Sequence, residues 1–387
     1  MYNIQMLNKI AACGTDLLDK AKYNVALEAE NPDAIMVRSA AMHDMTFGDK
    51  LVAIARAGAG VNNIPIDKCS DAGIVVFNTP GANANAVKEL AVCALFLASR
   101  KIVDGINWAQ SLKGSGEDVA KAVEKGKSAY VGPEIMGKKL GVIGLGAIGA
   151  MFANAALDLG MEVYGCDPYL TVEAAWSLSK GVKRATNEEI FEKCDYISIH
   201  VPSTPTTKGM INANTIATMK DGVRILNLAR ADLVNADDLK AALETGKVAS
   251  YVVDFPTEDV LGVPGIVTIP HLGASTPESE DNCAVMAAIE LRDFIELGNI
   301  KNSVNYPNVS LPASNNVRIA ILNKNVPTML KQITDVIASE NINIINMANA
   351  SKKDNAYTLV EIAGDISETA VAKLAAIDGV ARVRVIK

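Results

Sequence analysis

Short apolar runs separated by stretches of helical period set the pattern along most of the chain. Residues 34–37, 52–55 and 74–77 are short, apolar and flanked by turn residues, and read as buried strands. Their alternation with helical segments points to a parallel sheet. Residues 89–112 read as one long helix, and 114–132, polar and glycine-rich, as a loop or short exposed helix. From residue 139 the pattern sharpens. A strand over 139–143 runs into a glycine-rich turn, a helix extends to Leu159, Gly160 stops it, and a strand over 161–166 follows. Strands over 196–200, 224–228, 250–253 and 266–269, with helix-like segments between them, complete a doubly wound pattern.

After Ala284 a helix runs to about Leu297, and the stretch 302–316, with Pro307 and Pro312, reads as a linker. The tail has its own order. A strand over 317–322 precedes a helix after Pro327, then come strands near 342–348 and 357–362, a helix over 368–377 and a strand over 381–386. That βαββαβ order is the ferredoxin-like arrangement. The chain shows no low-complexity tract and no fixed-period repeat.

Composition narrows the class. The 387 residues are 49% hydrophobic and 21% charged, so the chain can bury several cores without disulfides. With 37 Lys+Arg against 44 Asp+Glu the net charge is −7, which argues against a nucleic-acid partner while permitting a local basic pocket. The best apolar run, 90–98, falls well short of the ~18 residues a membrane span needs. The N-terminus lacks the basic and long apolar regions of a signal peptide. Cysteines 13, 69, 93, 166, 194 and 283 form no Cys-x-x-Cys pair, so reduced cytoplasmic thiols are expected, with neither a disulfide frame nor a metal site.

The glycine-rich turn carries the first chemistry. Gly144-Leu-Gly146-Ala-Ile-Gly149 follows a strand and opens a helix, and Asp167 ends the next strand, 23 residues after Gly144. Gly144 permits the tight turn, Gly146 lets backbone approach a pyrophosphate, and Gly149 allows close helix–strand packing. The pyrophosphate would lie at the helix N-terminus, where free N–H groups and the dipole favour negative charge. Asp167 suits the adenosine ribose hydroxyls and repels a ribose phosphate. No basic residue appears after it until Lys180, so NAD is expected over NADP.

Three strand ends carry the second. Leu228-Ala229-Arg230, Asp254-Phe-Pro-Thr-Glu258-Asp259 and Pro270-His271-Leu-Gly273-Ala274-Ser-Thr follow successive predicted strands, and ligands of doubly wound sheets bind at the carboxyl ends of strands. An Arg, a carboxylate and a His there suit oxidation of a 2-hydroxy acid. Arg can hold the substrate carboxylate through two parallel hydrogen bonds. His can take the hydroxyl proton as hydride leaves. A carboxylate behind the imidazole would orient it and stabilise the imidazolium. Of the other histidines, His200 reads as structural or cofactor-adjacent and His43 as an ordinary surface or loop residue.

These residues, with Arg56-Ala-Gly-Ala-Gly-Val-Asn, Asn78-Thr-Pro-Gly and His200-Val201-Pro202, resemble the D-isomer-specific 2-hydroxyacid dehydrogenase family over about residues 35–283. The resemblance implies a Rossmann-type NAD domain, 95–283, inserted in a flavodoxin-like substrate domain, 1–94 with 284–312, whose lobes close over substrate. It implies a catalytic set of Arg230, a carboxylate and His271. Gapless counting from Asp254 puts the carboxylate at Asp259, and a one-residue loop shift puts it at Glu258. It lines the cofactor cleft with Gly144, Gly146, Ala147, Ile148, Gly149, Asp167, His200, Val201, Pro202, Leu228, Ala229, Arg230, Asp254, His271, Gly273 and Ala274. Ala147 stands where members often carry Arg, and Arg230-Ala-Asp where they carry Arg-Gly-Gly. Substrate is expected at Arg38, Ser39, Arg56, Gly58, Ala59 and Gly60, with lysines of the 113–127 region adding charge.

Within the family, the His-Leu-Gly-Ala-Ser-Thr run and the tail point to members that oxidise D-3-phosphoglycerate to 3-phosphohydroxypyruvate at the start of serine biosynthesis. Another D-2-hydroxyacid dehydrogenase, or a hydroxypyruvate/glyoxylate reductase, is the alternative, separated only by pocket cations. A non-catalytic NAD-sensing protein is the alternative of another class, against which Arg230, the acidic loop and His271 argue. The tail, 316–387, resembles the ACT module, which pairs between subunits, so a homo-oligomer (dimer or tetramer) is expected. Asn323, Asn325 and Asn343 match positions that contact a serine effector. Asn323 replaces a frequent His and Thr328 a usual Gly, and a purely structural dimerisation module is the other reading.

Overall fold

In the computed structural model, which describes residues 1–116 and 118–387, the chain opens with five parallel strands. They are β1 (Tyr2–Met6), β2 (Tyr23–Ala26), β3 (Ala34–Val37), β4 (Ala53–Arg56) and β5 (Val75–Phe77), in the order β2-β1-β3-β4-β5. This is the flavodoxin-like order. Every residue of β3 and β5 is buried, which is why their sequences are continuous apolar runs. β1 and β2 lie toward one edge and carry Asn3, Gln5 and Asn24, so no apolar run announces them.

This sheet belongs to one compact unit, Met1–Asn83 with Pro277–Lys387, and Ala84–Thr276 forms the other. Both boundaries fall seven to eleven residues before those expected at 94 and 284. The helix Ala84–Ser99 falls in the second unit because Val87, Ala91, Ala94, Leu95 and Ala98 share a core with Leu140, Phe152 and Leu226. The single helix expected over 89–112 is two. Arg224 Nε donates to the Ala98 carbonyl (3.0 Å), and Ile102 N turns back to the Arg100 carbonyl, so the hydrogen-bond ladder stops. The second helix, Ile102–Ser111, has no fully buried residue.

The second unit is built on seven parallel strands: β6 (Lys139–Ile143), β7 (Glu162–Cys166), β8 (Lys183–Arg184), β9 (Tyr196–Ile199), β10 (Val223–Asn227), β11 (Val248–Val253) and β12 (Ile266–Thr268). Their order, β12-β11-β10-β9-β6-β7-β8, reverses direction at β6, the switch point of a doubly wound sheet. β6 and β9 pair directly and open the crevice there. The two-residue β8 is too short to leave a periodic signal.

In the first unit, the tail strands β13 (Val317–Lys324), β14 (Ile344–Lys352), β15 (Asn355–Ile362) and β16 (Val380–Ile386) pair antiparallel in the ferredoxin-like order β14-β15-β13-β16. One sheet face shares a core with the five-stranded lobe: Ala320, Leu322, Tyr357, Leu359 and Ile386 cluster with Phe294, Ile295 and Tyr306. The tail also ends the helix Pro277–Leu297. Arg384 donates to the carbonyls of Phe294 and Ile295, Arg318 to Leu297, and Tyr357 Oη to Gly298 at 2.6 Å. The Phe294 carbonyl also accepts the Gly298 amide at 3.0 Å, while those of Ile295 and Leu297 belong to the last turn, where a helix leaves its carbonyls without internal partners. Arg318 also pairs with buried Glu361 at 3.1 Å and donates to the Pro312 carbonyl.

Of the stretch expected as a linker, 302–311 is packed and 312–316 is exposed. Asn305 Oδ1 accepts Val76 N (2.9 Å), its Nδ2 donates to Ile74 O (2.9 Å), and Tyr306 Oη donates to Ser70 O (2.8 Å). Ser303, Asn305, Tyr306, Val309 and Leu311 are buried there, so this part is a strap laid on the lobe. Among the described residues no helix is long and apolar enough to cross a membrane, and no group of three or more His, Cys, Asp or Glu side chains is arranged to hold a metal.

Candidate active site

The glycine-rich turn leaves β6 at Gly144, whose φ of +92° is costly for any residue with a Cβ. A Cβ there would lie 2.6 Å from the His200 carbonyl oxygen, and one on Gly149 would lie 1.9 Å from the Gly144 carbonyl oxygen. The turn therefore closes only with glycine at both positions. Gly146 then opens the helix Ala147–Asp158 without a side-chain cap, and the space at its α-carbon is open. Its first-turn N–H groups remain available to an anion. Gly146 and Ala147 are exposed and Ile148 half-buried. This cradle, which a Cβ would fill, fits a dinucleotide pyrophosphate.

Asp167 ends β7 beside the turn. Its Oδ2 accepts the Leu145 amide and its Oδ1 the Tyr169 amide, each at 2.8 Å. One carboxylate thus fixes both loops, and each oxygen keeps a lone pair for a further donor. His200 follows β9. Its Nε2 shares a 2.8 Å hydrogen bond with Ser198 Oγ and its ring leans on Phe152. Burial pushes this imidazole down to about 4, so it is neutral near pH 7. Val201 and Pro202 continue the strand end, and the Pro202 carbonyl accepts Thr207 Oγ1.

The three strand ends named in the sequence come together within the second unit. After β10, buried Asn227 shapes the Leu228-Ala229-Arg230 turn: its Oδ1 accepts the amides of Ala229 and Arg230, and its Nδ2 donates to the Arg230 carbonyl at 2.8 Å. Arg230 itself is exposed, and its guanidinium stands 5.1 Å from the centroid of the Phe255 ring. After β11, Asp254 is 1% exposed, and burial raises its carboxyl above the ordinary range against two backbone hydrogen bonds. Those bonds are the Leu272 amide to Oδ1 (2.7 Å) and the Gly273 amide to Oδ2 (2.8 Å). After β12, His271 has φ +56°, a left-handed conformation uncommon for non-glycine residues and frequent at functional sites. Its imidazole lies 4.3 Å from the Phe255 ring, centroid to centroid.

Glu258 and Asp259 are exposed on a one-turn helix, Glu258–Val260, that is anchored by buried Val260. Among the described residues no carboxylate hydrogen-bonds the His271 ring. Asp259 borders a cavity of about 460 Å³ with Lys208, Asp232, Asn235, Tyr251 and Phe255, and neither Glu258 nor His271 is among its walls. Gly273 is buried against Asp254 and Ala274 is half-buried beside it.

The expected substrate residues lie in the first unit. Asn8 Oδ1 accepts three consecutive amides, those of Arg38, Ser39 and Ala40, each at 3.0 Å. Arg56 Nε donates to the Arg38 carbonyl, so that turn is held from both sides. Arg38 Nη1 pairs with Glu280 at 2.7 Å. The Gly58–Gly60 loop is tied by Thr79 N to the Gly58 carbonyl and by Asn78 Nδ2 to the Ala59 carbonyl (2.6 Å). In the tail, Asn323 and Asn325 border one cavity of about 200 Å³ with Thr328 and Asn349. Asn343 does not join them. It precedes β14 at the Val317 end of the sheet, whereas Asn323 pairs with Ala356 six residues along β13, some ~20 Å away at ~3.3 Å per residue.

Sequence reasoning passed over Asn8, Asn227 and Phe255. An asparagine inside an otherwise apolar strand was the available signal for Asn227. Asn8 follows a strand the pattern did not show.

Comparison with known proteins agrees with this architecture. The family model for the D-isomer specific 2-hydroxyacid dehydrogenase NAD binding domain matches residues 93–273. The chain is 35% identical over 326 residues to the D-3-phosphoglycerate dehydrogenase of Bacillus subtilis, covering 79% of this chain and 59% of that protein. It is 30% identical over 349 residues to the D-3-phosphoglycerate dehydrogenase of Haemophilus influenzae, covering 87% and 82%. A solved structure of NAD+-bound 3-phosphoglycerate dehydrogenase from Entamoeba histolytica matches with TM-score 0.60 and 27% identity, covering 80% of this chain and 99% of that one. The chain belongs to the D-isomer-specific 2-hydroxyacid dehydrogenase family, and its second unit carries the family's NAD-binding domain.

Proposed function

We propose that this chain is a D-3-phosphoglycerate dehydrogenase, oxidising the C2 hydroxyl of D-3-phosphoglycerate to the ketone of 3-phosphohydroxypyruvate with NAD. The observation that carries the reading is Arg230, after β10, and His271, after β12, resting on the ring of Phe255, which follows the strand between them. Bound NAD supplies the acceptor for the hydride leaving C2. Gly144, Gly146 and the first turn of the helix Ala147–Asp158 hold its pyrophosphate, and Asp167 accepts its ribose hydroxyls and disfavours a 2′-phosphate. Arg230 holds the substrate carboxylate in a two-pronged hydrogen bond. His271 takes the hydroxyl proton as the C2–H bond breaks.

Glu258, rather than Asp259, orients the imidazole. Asp259 faces the cavity on the Asn235 side, and Lys240 senses its charge. Arg38, Arg56 and the amides of the Gly58–Gly60 loop bind the anionic ends of the substrate, with Arg38 exchanging Glu280 for that ligand. The tail acts as a packing element of the first unit, supported by its shared core; Asn323 and Asn325 share one cavity and Asn343 lies at the other end of the sheet, so a serine site using all three would be completed by a second copy of the chain. The chain is read as a cytoplasmic homo-oligomer.

The test is steady-state oxidation of D-3-phosphoglycerate by the parent and by Arg230→Ala. The variant is expected to raise KM for the hydroxy acid by about ten-fold or more, as loss of a charge-assisted bidentate contact would, with NAD affinity unchanged. An unchanged KM would remove Arg230 from the site.

A further inference from the structure

We propose that Phe255 is a positioning residue for both members of the catalytic pair, an inference that rests on the roles given above to Arg230 and His271. Two side chains from different strand ends converge on its ring: the Arg230 guanidinium carbon at 5.1 Å from the centroid and the His271 imidazole at 4.3 Å, inclined by 45°. Among the described residues no carboxylate hydrogen-bonds the imidazole, and the ring it lies against is that of Phe255.

The backbone makes this contact specific. Asp254 and Phe255 are consecutive. Asp254 spends both carboxylate oxygens on the amides of Leu272 and Gly273, the two residues after His271. His271 N donates back to the Ile269 carbonyl at 2.9 Å, closing the turn that gives His271 its φ of +56°. With the backbone pinned on both sides, the imidazole retains only its side-chain torsions, and Phe255 limits those. One residue therefore fixes the path of the His271 loop and the next fixes its ring. The same ring gives the long Arg230 side chain a surface to lie on, cutting the rotamer freedom lost when it grips a carboxylate.

Phe255 also has an electrostatic part. The face of an aromatic ring attracts cations within about 6 Å of its centroid. His271 gains a positive charge when it takes the substrate proton, and that charge forms inside this range. The ring thus favours the protonated product of the step as well as the geometry that leads to it.

Phe255 borders the cavity on the Asn235 side and is only half-buried, so its replacement opens no sealed core. The experiment compares the parent with Phe255→Leu, Phe255→Met, Phe255→Tyr and His271→Ala, following turnover, and NAD binding by titration. The two ringless variants should bind NAD as the parent does and lose about ten-fold in kcat, the scale of a misplaced general base. Their KM for the hydroxy acid should rise. Phe255→Tyr, which keeps the ring, should recover most of the turnover and the parent's KM. An unchanged kcat in both ringless variants, with His271→Ala inactive, overturns the role of Phe255 alone. Activity retained in His271→Ala overturns the underlying reading and the proposal with it.

Discussion

Asp254 accepts the backbone amide of Leu272 at 2.7 Å, a bond between the end of one strand and the loop after the next. The residue just before Leu272 is His271, so a buried carboxylate decides how the candidate base leaves the sheet. His271→Ala should lose ~10²–10⁴-fold in turnover, the usual worth of a general base, while NAD affinity holds. Asp254→Asn should also lower kcat more than it weakens NAD, because an amide nitrogen would then face one of two backbone N–H groups. Weaker NAD binding with kcat intact would instead make Asp254 a direct cofactor contact.

The acidic loop separates two neighbours. Glu258→Gln should lower kcat and alter the pH profile. Asp259→Asn should leave both near the parent, since Asp259 borders the cavity lined by Lys208, Asp232 and Asn235, whose walls do not include His271. The reverse pattern would assign the imidazole to Asp259.

Much of this site could be read along the chain, and the reason is physical. The Gly144 turn needs glycine at fixed spacing because carbonyl oxygens of His200 and Gly144 occupy the places of two Cβ atoms. Strands such as β3 are buried on both faces and so are apolar throughout. What was not legible depends on partners distant in sequence. The break at Arg100 comes from Arg224, 126 residues from Ala98, and nothing local announces it. The stretch 302–316 has the prolines of a linker, yet Asn305 and Tyr306 seal strands laid down more than 200 residues earlier. The register of β13, β14 and β15 sets Asn343 at the other end of the sheet from Asn323 and Asn325, a separation no local pattern announces.

The docked tail makes truncation informative. A chain ending at Asn315 would uncover the core face around Phe294 and Tyr306 and strip the tail donors from the carbonyls of Ile295, Leu297 and Gly298. It should melt at least ~5–10 °C lower or aggregate, consistent with losing several kcal/mol of apolar burial. A truncated chain with the parent's Tm would show the tail to be an independent module.

Glu290 offers a pH test inside the first unit. It is 5% exposed, its Oε1 accepts Asn302 Nδ2 at 2.7 Å, and its Oε2 has no hydrogen-bond partner. Burial raises its carboxyl from 4.5 to about 8. The folded state therefore holds this proton more tightly than the unfolded chain, and stability falls as pH rises from about 4.5 to about 8. Glu290→Gln removes that loss, so the variant's Tm should gain on the parent's across this window and level off above it. A constant difference in Tm between pH 5 and pH 8 would show that Glu290 titrates normally.

Substrate choice is read from kcat/KM for NADH formation from D-3-phosphoglycerate, D-glycerate and D-lactate with the same enzyme. D-3-phosphoglycerate should lead by about a hundred-fold or more, since a site built around cations to pair with a phosphate rejects an analogue that lacks it. Equal efficiency on D-glycerate, or preference for D-lactate, would contradict the assignment to D-3-phosphoglycerate.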